Sequence, residues 1–147
     1  MRKYVRLRWL MSACLVSALG AFSSAPADAQ DAEVPLDLLG NWKAETIDGT
    51  PVAADVVTLL EFEEAGTVDG NGGCNQIFGP LRTEGRNIRI GPLSVTRKAC
   101  PPDVLNQEKA FLKALNATRD FKKLPAEGAL LLLDGQGTEV GRFVYAD

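Results

Sequence analysis

The two cysteines Cys74 and Cys100 are the residues of this 147-residue chain whose chemistry is easiest to assign. Cys74 lies in the segment 73–75, Gly-Cys-Asn, and Cys100 ends the segment 96–100, Thr-Arg-Lys-Ala-Cys. They are the only two cysteines once the predicted leader 1–29, which contains Cys14, is removed, and an even number in an oxidising compartment favours a disulfide. Zinc would need further thiol or imidazole ligands, and the chain has no histidine. The sequence therefore predicts a Cys74–Cys100 disulfide and no metal site; two buried free thiols are the alternative.

Few other side chains offer catalytic chemistry. The lack of histidine removes the commonest general base near neutral pH. Ser94, the only serine after residue 29, lies outside a Gly-x-Ser-x-Gly motif, and a cysteine nucleophile would compete with the disulfide. The glycine-rich segment 66–73 lacks the Lys-Ser or Lys-Thr of a phosphate loop and the closing glutamate of a calcium loop. We expect no enzymatic activity, no catalytic residue and no cofactor, and we interpret this segment as a tight turn that delivers Cys74 to its partner.

Residues 1–29 have the pattern of a secretory signal peptide. Four basic residues lie in 1–8, the next 14 residues carry no charge, and Ala27-Asp28-Ala29 places small residues before the expected cleavage. A membrane anchor is disfavoured because that apolar run is shorter than the roughly 20 residues that span a bilayer. A lipidated Cys14 is disfavoured because the apolar run continues beyond it. We therefore expect a periplasmic or secreted protein with no membrane span after cleavage.

The expected mature chain of 118 residues is acidic, with 12 Lys or Arg against 18 Asp or Glu and a net charge of −6. Its scattered basic residues argue against nucleic acid and anionic lipid as partners. Arg82, Arg86 and Arg89 fall on one predicted hairpin, where a solvated strand face is favoured over a contact surface. The length fits one domain, so we expect a linker at 30–37, a single domain at 38–147 and a monomer.

Turn residues divide the mature chain into short strand-like runs and one helix. The predicted helix, 104–117, follows a Pro-Pro-Asp sequence in which Asp103 is the expected N-cap. About eight strands and one helix predict a mainly β, α+β fold, in which a small antiparallel barrel-like sheet carries the α-helix across one opening. The strand-like runs are 41–47, 56–62, 66–69, 76–82, 87–90, 93–97, 120–124, 129–133 and 140–145.

Glu108 lies inside the apolar stripe of the predicted helix, four residues after Val104 and three before Phe111. A carboxylate directed toward a core needs a partner, because burying a lone charge is costly. We predict that Arg97 or backbone amides near Cys74 hold Glu108 and lock the helix to the sheet beside the disulfide. This role is structural rather than catalytic.

Several motifs occur in a characteristic order. They are Gly40-Asn41-Trp42, Gly70-Asn71-Gly72-Gly73-Cys74-Asn75 with Phe78-Gly79, Thr96-Arg97-Lys98-Ala99-Cys100, Glu108 with Phe111 and Leu115, and the run 130–133. Together they resemble the META domain, or HslJ-like, family over roughly residues 38–146. The chain differs from the family pattern at Lys98, where methionine is common, and in its leader, which resembles an ordinary signal peptide more than a lipoprotein signal. The resemblance implies a small exported β domain with one helix, associated in some members with heat-shock or antibiotic stress, and no agreed biochemical activity.

Two functions fit these observations. The first is a non-enzymatic module that contacts an unidentified envelope protein under stress. The second is a carrier that holds a small apolar or acyl ligand inside the barrel. The first is favoured, because we expect the aromatic side chains of Trp42, Phe62, Phe78 and Phe143 to fill so small an interior.

Overall fold

A computed structural model describes residues 33–146. The predicted signal peptide, its cleavage site and Cys14 lie outside this range. Within it, no helix combines the length and the apolar character needed to cross a bilayer.

The described part of the chain contains ten strands, one α-helix and a short 3₁₀ helix. Every strand pairing among these residues is antiparallel. The helices are α1 (Pro102–Ala117) and the 3₁₀ helix Pro125–Glu127. The strands are β1 (Gly40–Ile47), β2 (Thr50–Pro51), β3 (Leu59–Glu63), β4 (Thr67–Asn71), β5 (Gln76–Glu84), β6 (Asn87–Ile90), β7 (Ser94–Val95), β8 (Asp120–Leu124), β9 (Ala129–Leu133) and β10 (Glu139–Tyr145).

Eight of these strands form a closed ring in the order β1-β3-β4-β5-β6-β8-β9-β10. Pairing of β10 with β1, with Trp42 opposite Tyr145, closes it. The other two strands, β2 and β7, have two residues each; β2 pairs with β1, and β7 pairs with β5. The strand pairing in the ring is shortest between β6 and β8, which share the single residue pair Asn87–Asp120. The predicted barrel-like antiparallel sheet is confirmed. Closure of the ring is favourable because it removes exposed sheet edges.

Helix α1 covers one opening of the ring. It contacts β6 on one side and β1 and β10 on the other, so it lies across the mouth rather than along the outside. Phe111 is fully buried, and its ring centroid lies 6.2 Å from that of Phe143 on β10. The predicted position of the helix is confirmed. The helix lies there because its apolar stripe packs against the interior of the ring.

Residues 33–39 cover the opposite opening, where β1 begins and β10 ends. Val34 and Leu38 are buried in the same core as the strand side chains. The Trp42 indole Nε1 donates to the carbonyl oxygen of Leu38 at 2.8 Å. The expected linker 30–37 therefore contributes Val34 to the packed domain, and both ends of the ring are covered.

Two expectations about individual side chains are wrong. Asp103 does not cap the helix, because α1 begins at Pro102 and Pro101 occupies the N-cap position without a side-chain hydrogen bond. Asp103 lies in the first turn, where a carboxylate interacts favourably with the helix dipole. Phe78 does not fill the interior, since half of its surface is exposed. It alternates with the buried residues Ile77 and Gly79, which turns its side chain outward.

Two of the predicted strands are shorter in the structure. The run 56–62 becomes a strand only from Leu59, because residues 52–58 form a loop against the helix. The run 93–97 shortens to the two-residue strand Ser94–Val95. The other three expected aromatic residues of the interior, Trp42, Phe62 and Phe143, are buried.

Candidate functional site

The turn between β4 and β5 places the Gly-Cys-Asn motif beside the helix. Gly73 has a φ of 113°, and a Cβ there would lie 2.7 Å from Cγ1 of Val56, so only glycine fits. The Asn71 side-chain oxygen accepts from the Gly73 amide at 2.7 Å, and the Asn75 carbonyl accepts from the Gly72 amide at 2.9 Å. This local geometry directs residues 74 and 75 toward α1.

The predicted disulfide between Cys74 and Cys100 is confirmed, with their Cα atoms 6.1 Å apart. Cys100 directly precedes Pro101 and the start of α1, so the bond joins the turn after β4 to the beginning of the helix. In the chain-entropy model, closing a loop of this length stabilises the fold by about 3.5 kcal/mol. The cross-link therefore fixes the position of the helix relative to the sheet.

Glu108 lies on α1 opposite the same turn and is 5% exposed. Its Oε2 accepts from the Asn75 amide at 2.6 Å and from the Cys74 amide at 3.2 Å, and its Oε1 accepts from Asn75 Nδ2 at 2.7 Å. Of the two kinds of partner that the sequence offered, the structure shows the backbone amides; the Arg97 side chain is exposed and takes no part in these bonds. Hydrogen bonds to a charged acceptor are roughly twice as strong as neutral ones, so this carboxylate ties helix to turn.

The side chain of Asn75 extends the network to the segment that leads to Cys100. Its Oδ1 accepts from the Thr96 hydroxyl at 3.0 Å and from the Lys98 amide at 2.7 Å. The Thr96 hydroxyl in turn accepts from the Gln76 amide at 3.1 Å. Because Asn75 donates to Glu108 and accepts from the other side, its amide can take only one orientation. We call this cluster of Cys74, Asn75, Thr96, Cys100 and Glu108 the junction.

Comparison with protein families identifies the chain. Residues 35–147 match the family model described as META domain. The chain belongs to the META domain family. The resemblance that the motifs indicated is confirmed. The Gly-Cys-Asn and Thr-Arg-Lys-Ala-Cys motifs and Glu108 meet at the junction.

Three solved structures share the fold of this META domain. A protein from Burkholderia xenovorans, solved by NMR, is 22% identical, with a TM-score of 0.59 over 84% of this chain and 96% of its own. A second NMR structure is 20% identical, with a TM-score of 0.58 over 75% and 92% of the two chains. A DUF4847 family protein from Bacteroides vulgatus is 16% identical, with a TM-score of 0.54 over 76% and 95%. Comparison with curated proteins gives no significant match.

One functional side chain of the META domain was missed by the sequence analysis. Gln107 precedes Glu108 on α1; its Oε1 accepts from the Ala53 amide at 2.9 Å, and its Nε2 donates to the Thr58 hydroxyl at 3.3 Å. Thr58 is fully buried. The strand predicted over 56–62 hides this contact, because residues 56–58 form a loop against the helix instead. The signal in the sequence is the single polar residue, Thr58, in the apolar run 56–60.

The remaining motif residue, Trp42, lies at the other end of the ring. Its ring is fully buried, meets Tyr145 edge-on at 5.5 Å and lies 5.4 Å from Lys123 Nζ. Edge-to-face pairing and a nearby cation each favour this position by about 0.5–1 kcal/mol. The predicted motif residues therefore lie in three places. Most of them lie at or beside the junction, Trp42 lies at the opening covered by residues 33–39, and Arg97 lies on the surface.

The junction holds its parts together and offers little for a reaction. Both oxygens of Glu108 accept hydrogen bonds from the turn, and the two cysteines are joined to each other. Among residues 33–146, no cluster of three or more histidine, cysteine, aspartate or glutamate side chains is placed to hold a metal ion. The arrangement is suited to positioning α1 against the sheet.

Proposed function

We propose that this META domain is an exported, non-enzymatic interaction module that works in an oxidising envelope or extracellular compartment under stress. The observation that carries this proposal is the disulfide within the junction. The bond connects the turn whose amides bind Glu108 to the segment that leads into α1, so oxidation of the cysteines stabilises these contacts. Disulfides persist in exported proteins and are rare in the cytosol. The signal-peptide pattern of residues 1–29 supports the same compartment.

The packing of the ring supports action through the outer surface. The interior is occupied by core side chains, including Trp42, Phe62 and Phe143, and the two openings are covered by α1 and by residues 33–39. A partner bound without unfolding would contact the outside. An interaction module needs nothing more than a rigid surface of this kind.

Export and oxidation can be tested together. The full chain is expressed with a C-terminal tag in its own host, and the fractions are treated with a maleimide that adds mass to free thiols. We expect the tagged protein outside the cytosol, with an N-terminus at Gln30 and no thiol modification unless it is first reduced. A cytosolic protein whose Cys74 and Cys100 thiols are modified without prior reduction would overturn the proposal.

The stress role, which rests on the family resemblance, requires a separate experiment. A strain lacking the gene is challenged by heat and by antibiotics, and is complemented with the wild-type chain or with the Cys74→Ala/Cys100→Ala variant. We expect a survival defect that the wild type restores and the variant does not. Equal survival of the deletion strain under every challenge would remove the stress role while leaving the exported module intact.

The carrier alternative would require the interior to open. A ligand inside the ring would have to displace side chains as deeply buried as Leu38 and Trp42, which is costly in a close-packed core. Native mass spectrometry of the protein purified from its host, before and after exposure to extracted lipids, distinguishes the two functions. A carrier retains one ligand per chain, and an interaction module retains none.

A further inference from the structure

Two arginines lie directly opposite each other on the hairpin formed by β5 and β6. Arg82 pairs with Arg89 in the strand register, and both side chains are on the exposed outer face. Directly opposed residues have Cβ atoms about 4.5–5.5 Å apart, and like charges at such positions are destabilising. The stability of the hairpin does not account for this pair.

In the part of the chain that the structure describes, no acidic side chain forms an ion pair with either of these two guanidinium groups. Within residues 33–146, neither Arg82 nor Arg89 forms a salt bridge or a side-chain hydrogen bond. Two other arginines of the domain do: Arg86 pairs with Asp120 at 3.4 Å and donates to the Phe121 carbonyl at 2.9 Å, and Arg142 binds Glu45 and Glu127. In a domain with more acidic than basic residues, an uncompensated pair is therefore unusual.

A third arginine reaches the same place from a distant part of the sequence. Arg119 lies between α1 and β8, and its carbonyl accepts from the Ile88 amide at 2.9 Å, which fastens it to β6. Its Nη1 donates to the carbonyls of Asn116 and Thr118, at 2.7 and 2.6 Å, which fixes the guanidinium at the end of the helix. Arg119 is thus held in place by the backbone and not by an acid.

The three arginines line one open cleft of about 500 Å³. Among residues 33–146, Glu84 is the only acidic residue in the lining, and Asn87 adds an amide. The lining therefore carries a net charge of +2 on the surface of an acidic protein. We call Arg82, Glu84, Asn87, Arg89 and Arg119 the cationic cleft.

We propose that the cationic cleft is a binding site for a phosphoryl group. A guanidinium is a planar fork of N–H donors that pairs with phosphate oxygens in bidentate fashion. A phosphomonoester or inorganic phosphate carries close to two negative charges near neutral pH and offers three or more terminal oxygens, enough to accept from several guanidinium groups at once. A single carboxylate has only two oxygens and one charge. The phosphoryl group belongs either to a soluble phosphate compound or to a lipid headgroup, and the site is separate from the junction on which the proposed function rests.

The test titrates the exported, processed protein, uniformly labelled with ¹⁵N, with inorganic phosphate at low ionic strength. We expect saturable amide shifts concentrated at residues 82–89 and 119. Each charged hydrogen bond is worth about 1.5–3 kcal/mol, so Arg82→Gln and Arg89→Gln should each weaken binding about tenfold or more. The matched control is Arg97→Gln, which removes the same charge from an exposed arginine outside the cleft and should change affinity less than about twofold.

Several outcomes would overturn the proposal. They are the absence of localised shifts, an equal loss of affinity in Arg97→Gln, and an affinity for succinate that equals the affinity for phosphate. The variants are expected to fold, because each relieves a repulsive pair on an exposed strand face, and the amide spectrum verifies this directly. A second arm uses flotation with phosphatidylcholine vesicles with and without phosphatidic acid. Flotation that requires phosphatidic acid, Arg82 and Arg89 assigns the phosphoryl group to a lipid headgroup; shifts with inorganic phosphate and no flotation assign it to a soluble compound.

Discussion

The junction and the cationic cleft are both polar, and they differ in whether their charges have partners. At the junction, one buried carboxylate faces three donors, and every contact runs between elements distant in sequence. At the cleft, two exposed arginines lie opposite each other in the strand register, and the guanidinium group of a third is held by carbonyl oxygens. The first arrangement stabilises the fold, whereas the second costs stability and leaves donors available to a ligand.

A charged residue therefore has a different role in each of the two regions of this small domain. A buried charge persists only where its hydrogen bonds are supplied, so its surroundings show what it does. An exposed like-charge pair costs little enough to persist, and the missing partner is the informative feature. Substitutions should accordingly have large effects on unfolding at the junction and effects of opposite sign at the cleft.

The largest effect is expected for Glu108→Gln. The substitution keeps the size of the side chain but removes the charge and replaces one acceptor by a donor, next to amides that can only donate. Asn75 cannot compensate by rotating, because its Oδ1 already accepts from Thr96 and Lys98. We expect the free energy of unfolding to fall by about 4 kcal/mol or more, measured by urea denaturation.

Glu61→Gln provides the control for this loss. Glu61 is an exposed residue of β3, and its neutralisation should change the free energy of unfolding by less than about 0.5 kcal/mol. If Glu108→Gln and Glu61→Gln unfold at the same urea concentration, the Glu108 carboxylate does not hold α1 to the turn.

Removal of the disulfide should have the next largest effect. Cys74→Ala/Cys100→Ala releases the cross-link but leaves the Glu108 bonds available, so we expect a loss of about 3.5 kcal/mol in the free energy of unfolding. Dithiothreitol should lower the urea midpoint of the wild type toward that of the variant and leave the variant unchanged. A wild-type midpoint that does not respond to complete reduction would contradict the role assigned to the bond.

A smaller effect is expected for Gly72→Ala, which tests how closely the turn approaches the helix. A Cβ at residue 72 would lie 2.7 Å from Cγ of Glu108, so the carboxylate has to move away from its amide donors. We expect a loss of about 2 kcal/mol, typical of overpacking in a core. Gly135→Ala is the matched control, because its Cβ would meet Cγ of Arg119 at an ordinary 3.7 Å. Equal unfolding midpoints for the two variants would show that the turn tolerates a methyl group.

The sequence predicted the architecture because the pattern of strands, turns and a single amphipathic helix is local. The ends of β6, β8 and β9 fall where the sequence placed them. The size of Phe78 favours the interior, but strand alternation puts its side chain on the face opposite that of Ile77 and Gly79, which is the outer face. The covering of the second opening by residues 33–39 was not foreseen, because the apolar Val34 and Leu38 lie in a segment without strand or helix periodicity.

The candidate sites were only partly predictable. Glu108 is identifiable because a carboxylate interrupts the apolar stripe of a helix, and the disulfide because only two cysteines follow the predicted leader. The choice between Arg97 and the amides required the direction of each side chain, which spacing does not provide. Arg119 was missed as a neighbour of Arg82, since the pairing of β6 with β8 brings together residues far apart in the chain.

The smallest effect, of opposite sign, is expected for Arg82→Thr. Threonine suits an exposed strand position, and its introduction removes the repulsion between Arg82 and Arg89. We expect the free energy of unfolding to rise by about 0.5 kcal/mol while the affinity for phosphate falls. Arg97→Thr, at an exposed residue outside the strands, should produce neither change. Because the junction and the cationic cleft lie in one cooperative domain, a single urea titration series measures both signs. A fall in stability for Arg82→Thr would show that Arg82 stabilises the hairpin, and the contrast between the two regions would then be lost.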